Sequence, residues 1–184
     1  MGSFWNDAGL EPKRSFRFLL SIMGAGTKLD NFLIKKVSKP SFSISESEHK
    51  FLNHTFYYPG KLTWNEVTFT VVDVVHKGSD ATSALMNMLD QTGYELPIKS
   101  VDNPKTLSKQ GAVSAFTIVI RQIDANGLNV EEWYLHNSWF KDIKFGELSY
   151  DTEDLLNVDV TVRYDNAHVV TMDNKYPKNA LGPG

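Results

Sequence analysis

Between Leu156 and Tyr164 the chain alternates without a break: Leu156, Val158, Val160, Val162 and Tyr164 are apolar, and Asn157, Asp159, Thr161 and Arg163 stand between them. A period of two sends successive side chains to opposite faces of an extended strand. One face must therefore lie on a core while the other meets water or a polar partner. The run closes a longer stretch from Trp133 to Asp165 that reads as three strands and contains no evident catalytic group. A well-specified sheet without visible chemistry points to a protein that works through its surface.

Other strands are predicted upstream. Arg14 to Met23 sets Phe16, Phe18, Leu20 and Ile22 on one face. Gly24 to Thr27 supplies a turn, where a lone GxG without a third glycine or a following helix is a weak phosphate-loop signal. A long hairpin is expected within about 40–61, with limbs near Phe42 to Glu48 and Phe51 to Tyr58, and with Pro59-Gly60 ending it. Trp64 to Val75 is the next strand. A helix over about 80–92 follows, with Ser79 or Asp80 as N-cap, Leu85, Met88 and Leu89 on one face and Gly93 as its stop. Residues 97–111 read as a loop. Strands resume at Ala112 and run to Ile123, turn through Asp124 to Gly127, and return over Leu128 to Leu135. A strand over Ser138 to Ser149 comes next, and the alternating run closes the sheet. The expected division is an N-terminal arm over 1–13, one β domain over 14–171 and a loose tail over 172–184.

Composition excludes several classes. A chain of 184 residues with 41% hydrophobic and 12% aromatic residues is too apolar to be disordered and long enough for one sizeable core. No apolar run is long enough for a membrane-spanning helix, so no membrane insertion is expected. The first dozen residues lack a basic start followed by an apolar segment, so no secretory signal is expected either. The absence of cysteine rules out disulfides and thiolate metal sites and suits folding in a reducing cytoplasm. Charge is uneven: residues 1–61 carry +4 and the remainder −7, for a net −3. Oppositely charged ends favour head-to-tail contact between identical copies.

A search for chemistry finds little. Histidines 49, 54, 76, 136 and 168 include no HExxH pattern, and His49 and His54 straddle the hairpin as solvated side chains. Asp151, Glu153 and Asp154 lack the spacing of an EF-hand, and neither GxSxG nor a P-loop occurs. Lys35, Lys36 and Lys39 form a short basic stripe in an acidic chain, which disfavours sequence-specific nucleic-acid binding. No catalytic, cofactor or metal residues are expected, and the chain is not expected to be an enzyme.

Three segments nevertheless carry a resemblance: PGKLTWNEVTFTVVD, EEWYLHNSWFKDIKFGELSYDTED and VDVTVRYDNA. In this order and spacing, from about Arg14 to Ala167, they resemble the tail tube proteins of contractile-tailed, T4-like bacteriophages within the Hcp-like tube superfamily. The long hairpin, the 97–111 loop and the C-terminal tail depart from that pattern.

The resemblance implies a mainly β (α+β) fold, an antiparallel β-sandwich or half-open barrel with one flanking helix and a long protruding hairpin. Copies would form a continuous barrel in hexameric rings stacked head-to-tail. The hairpin within Lys39 to Lys61 and the arm from Met1 to Lys13 would contact the neighbouring ring. Tape-measure protein and DNA would occupy the lumen, with tail sheath protein outside and baseplate and tail terminator proteins at the ends, in a virion tail.

Inter-subunit contacts are expected from Phe51, Phe56, Tyr57, Tyr58, Lys35, Lys36 and Lys39. Candidates for the lumen are Asn157, Asp159, Thr161 and Arg163, whose alternation would equally suit an outer solvent face. A tube-initiator or terminator subunit, or the tube of an injection device without a genome, is the near alternative. A small-molecule-binding β-barrel or a hydrolase with a scattered site is the distant one.

Overall fold

The computed structural model describes residues 11–24, 27–28, 33–75, 80–94, 106–151 and 153–172, and the fold is drawn from these. Most of the expected arm, the centre of the Gly24 to Thr27 turn, Ser79, residues 97–105 of the expected loop, and the tail beyond Met172 lie outside the described residues.

Two antiparallel sheets enclose one core. The first has five strands in the order β11-β8-β7-β1-β2, namely Asn166–Thr171, Asn129–His136, Phe116–Ile123, Phe18–Gly24 and Thr27–Lys28. The second has four, in the order β3-β6-β10-β9: Ile34–Val37, Val67–Val72, Asn157–Arg163 and Trp139–Lys144. Their facing sides interdigitate as two packed sheets must. Leu20, Ile22, Ile118, Ile120 and Leu135 of the first meet Val67, Phe69, Val71, Val158, Val160 and Val162 of the second. At roughly 1.5 to 3 kcal/mol for each fully buried aliphatic side chain, this layer dominates stability.

Helix α1 (Ala81–Gln91) adds Ala81, Leu85 and Met88 to the same core. Its N-terminus is held by two carboxylates. Asp80 accepts from the Thr82 amide at 3.0 Å, and Asp73 accepts from the Ala81 amide at 3.2 Å and the Thr82 hydroxyl at 2.8 Å.

A third, two-stranded sheet pairs β4 (Phe42–Phe51) with β5 (His54–Trp64) from Phe42 opposite Trp64 to Phe51 opposite His54. The hairpin is thus longer than the expected limbs, and Pro59-Gly60 lies inside β5 rather than ending it. Proline is tolerated because each strand of a two-stranded ribbon has an unpaired side. The surplus residue forms a bulge, where the Ser45 hydroxyl accepts from the Lys61 amide at 2.9 Å. Trp64 accordingly belongs to β5, and the following strand begins only at Val67.

Four further expectations change. The N-terminal strand begins at Phe18 rather than Arg14. The strand expected from Ala112 begins at Phe116, because Lys109–Ala115 forms a short second helix, α2, capped by Ser108 through the Gly111 amide at 3.0 Å. The strand expected over Ser138 to Ser149 stops at Lys144. There the chain leaves the sheet through Phe145 and Gly146, and Gly146 has φ +79° with its α-carbon packed so closely on the Asn157 carbonyl that a Cβ would sit 2.7 Å from it. The alternating run is not the closing strand either. β10 lies inside its sheet between β6 and β9, and β11 follows it on the other sheet.

Candidate assembly surfaces

β4 and β5 are exposed along almost their whole length, although they carry large apolar side chains. Phe51 is 62% exposed, Phe56 44%, Tyr57 61% and Tyr58 55%. Cross-strand partners share a face, so the register resolves these aromatics into two groups. Phe51, Phe56 and Tyr58 lie on one face with His49 and His54, and the His54 ring meets Phe56 edge-on at 4.6 Å. Tyr57 lies on the other face with Glu48. Toward the base, that second face continues as Phe42, Ile44, Leu62 and Trp64, with Phe42 and Trp64 in edge contact at 5.4 Å. An isolated ribbon has no core of its own, so apolar groups on both faces call for cover on both sides.

The expected basic stripe separates into two parts. Lys35 and Lys36 are exposed on edge strand β3, where a bulge sets Lys36 opposite Thr70. Lys39 is exposed too, but it is tied within its own chain: its ammonium donates to Glu131 at 2.7 Å and to Gln122 at 2.6 Å. Glu131 also accepts from Lys13 and from the Trp133 indole. Burial pushes the Glu131 carboxyl up, but the bonds from Lys13, Lys39 and Trp133 outweigh it and hold its pKa at about 2. Nothing in the sequence pattern marked this clamp, because its members are far apart along the chain.

The outward face of the four-stranded sheet is polar. Asn157, Asp159, Thr161 and Arg163 share it, as their alternation requires. Asp159 is exposed and accepts from the Thr70 hydroxyl at 2.6 Å, and it lies opposite Lys144 in the register. Thr161 lies opposite Asp142. Glu66 accepts from Lys141 at 2.5 Å and from Arg163 at 3.4 Å, and Lys141 above all, with Arg163, lowers its carboxyl pKa. Positive and negative groups therefore intermix across this face, and a polyanion would find no continuous basic track.

The outward face of the five-stranded sheet carries a second network that the sequence did not signal. Arg121 donates to Ser21 at 2.7 Å and to Glu132 at 3.0 Å, and the Tyr134 hydroxyl donates to Glu132 at 2.7 Å. Tyr134, His168 and His136 stack in sequence at 4.7 and 4.6 Å. Burial first, then the neighbouring His136, lowers the pKa of His168.

A cleft of about 740 Å³ opens between the hairpin base, the helices and β9 and β10, lined by Trp64, Leu89, Leu107, Trp139 and Tyr164. Among the described residues no three His, Asp or Glu side chains are placed to hold a metal ion. His49 and His54 do not pair across the hairpin; they face Phe56 and Phe51.

No protein-family model matches the sequence, and no curated protein does. Solved structures do match. A chain in the 6-fold symmetrised anti-feeding prophage baseplate aligns with a TM-score of 0.64 and 15% identity over 88% of this chain and 97% of its own. A chain of the sheath/tube terminator of an extracellular contractile injection system aligns with a TM-score of 0.64 and 16% identity over 88% and 99%. A chain of the extended sheath-tube complex of such a system aligns with a TM-score of 0.61 and 16% identity over 93% and 99%. The chain therefore has the β-rich fold that recurs in the baseplate, terminator and sheath-tube parts of contractile injection assemblies.

Proposed function

We propose that this protein is the tube subunit of a contractile tail: copies join side by side into rings, and the rings stack into the inner conduit. One observation carries the reading. Among the described residues the four-stranded sheet has two open edges, β3 and β9, and with four antiparallel strands these edges run in opposite directions. Copies arranged around an axis can therefore join β9 to the next β3 with every strand antiparallel to its neighbour, which removes the open edges. The five-stranded sheet lacks this property, since its edges β11 and β2 run the same way.

Several finer points follow from the same reading. Six copies per ring accords with the sixfold baseplate that contains a chain of this fold. The mixed-charge face of β10 lines the lumen and lets DNA and a tape-measure protein pass without sticking. The aromatic hairpin is the contact to the adjacent ring, a sheath surrounds the tube, and baseplate and terminator proteins close its ends in a virion tail. The role is structural rather than enzymatic. A terminator subunit, or the tube of a genome-free injection device, is the second reading, favoured by the equally good match to a sheath/tube terminator chain.

Negative-stain microscopy of the purified protein over a concentration series tests this. Open-ended tubes are the expected result; rings that stop at one layer favour the terminator. A monomer at every concentration, binding a small ligand in the 740 Å³ cleft, overturns the tube reading in favour of a binding barrel.

A further inference from the structure

The two open edges of the four-stranded sheet have opposite chemistry. Beside β3 lies a cleft of about 570 Å³ with apolar walls from Phe16, Phe18, Val37 and Trp133, and with Lys35 and Lys36 on its rim. Both lysines are exposed, and neither enters an ion pair among the described residues. Phe16 is 74% exposed, so among the described residues nothing covers the cleft.

At the opposite edge the chain leaves β9 and makes the excursion over residues 145–156 before entering β10. Leu148 is 89% exposed, Tyr150 108% and Leu155 69%. Between them stand Glu147, Asp151, Glu153 and Asp154, all exposed and all without an ion pair among the described residues. Three large apolar side chains displayed this openly on one segment are the mark of a surface that meets a partner. The segment follows directly on β9, so it starts at the edge that β3 of another copy would join.

We propose that in the ring this acidic, apolar segment of one copy closes over the basic, apolar cleft beside β3 of the next copy. The inference rests on the ring reading above and names the partner surface at its seam. Charge and polarity match on both sides: Leu148, Tyr150 and Leu155 meet Phe16, Phe18 and Val37, and the four carboxylates meet Lys35 and Lys36. Reach is sufficient. An excursion of this length extends roughly 20 Å out and back. It needs to cross one strand spacing of roughly 5 Å and then span the roughly 10 Å between sheets. The contact also accounts for part of the charge division of the chain, since the basic side lies within the first 61 residues and the acidic side within the rest.

Because each copy supplies both halves of the seam, a charge swap tests it. Lys35→Glu with Lys36→Glu makes both sides acidic, and Glu147→Lys, Asp151→Lys, Glu153→Lys and Asp154→Lys together make both sides basic. Each variant, checked for folding by circular dichroism, is expected to self-associate at least about tenfold more weakly than wild type in sedimentation velocity. An equimolar mixture is expected to regain association, with the two variants alternating in complexes resolved by native mass spectrometry. A single chain carrying all six substitutions is expected to regain it alone.

The inference is overturned if either variant associates like wild type or if mixing brings no recovery; wild-type rings in the same experiment would leave the ring reading intact. Mixed pairs that form without ever closing into rings would support the seam and overturn the ring. A wild-type chain that never associates overturns both.

Discussion

Glu131 shows how one residue can tie distant parts of a chain together. Its carboxylate gathers Lys13 from the N-terminal segment, Lys39 from the connection after β3, and the indole of Trp133 two residues along its own strand. Its pKa is lowered from 4.5 to about 2 in the fold, so its contribution to stability is complete above about pH 4.5 and is lost as the pH falls toward 2. After allowance for the half-exposed lysines that contribution is about 2 kcal/mol. Glu131→Gln is expected to remove about that much at pH 7 and to flatten the fall in stability between pH 5 and pH 2. Urea denaturation at a series of pH values measures both, and an unchanged pH profile would show that the clamp contributes nothing.

Among the elements, α2 and the hairpin depart furthest from pattern reasoning. α2 is a seven-residue helix with a glycine at its third position, and nothing in its periodicity separates it from a loop. It forms because Gly111 packs against the C-terminal end of α1, where a Cβ would sit 2.6 Å from the Thr92 carbonyl oxygen. This yields a prediction of unusual sign. Gly→Ala in a helix normally stabilises by up to about 1 kcal/mol, whereas Gly111→Ala is expected to destabilise by about 1 to 3 kcal/mol through that clash. Urea midpoints decide between the two signs. In the hairpin, Phe56 and Tyr57 are adjacent in sequence but lie on opposite faces of the ribbon, so Phe56→Ala with Tyr57→Ala strips an anchor from each face. Neither is buried in the single chain. Thermal stability of the monomer is therefore expected to change by less than about 1 kcal/mol, while tube growth followed by light scattering is abolished; normal growth would remove the hairpin from the interface.

For the molecule as a whole, the arrangement of edges and faces matters more than any single contact. On the tube reading, a sandwich whose second sheet ends in two opposed open edges is completed by its neighbours, and its polar outward face lines the lumen. Asp159→Lys replaces the acceptor of the Thr70 hydroxyl and shifts the outward face toward positive. If the proposed tube carries DNA past this face, rings are expected to assemble as before while DNA moves through more slowly; single-tube translocation or ejection kinetics measure this. Unchanged kinetics with unchanged assembly would place this face outside the lumen.

The sequence by itself determined the interior. The alternation at 156–164 named the buried Val158, Val160 and Val162, and the Leu85 and Met88 spacing named the inner side of α1, because burial and periodicity are both local to a segment. It also announced the aromatic hairpin, since that much apolar surface on a ribbon has no local solution. Only the tertiary structure decided which strands are neighbours, that β10 is central and β11 follows it, and that Lys39 is tied to Glu131 while Lys35 and Lys36 enter no ion pair among the described residues. The complementary cleft and excursion emerged at the same level. These depend on contacts between residues far apart in the chain, and a periodic pattern carries no information about which distant partner will complete it.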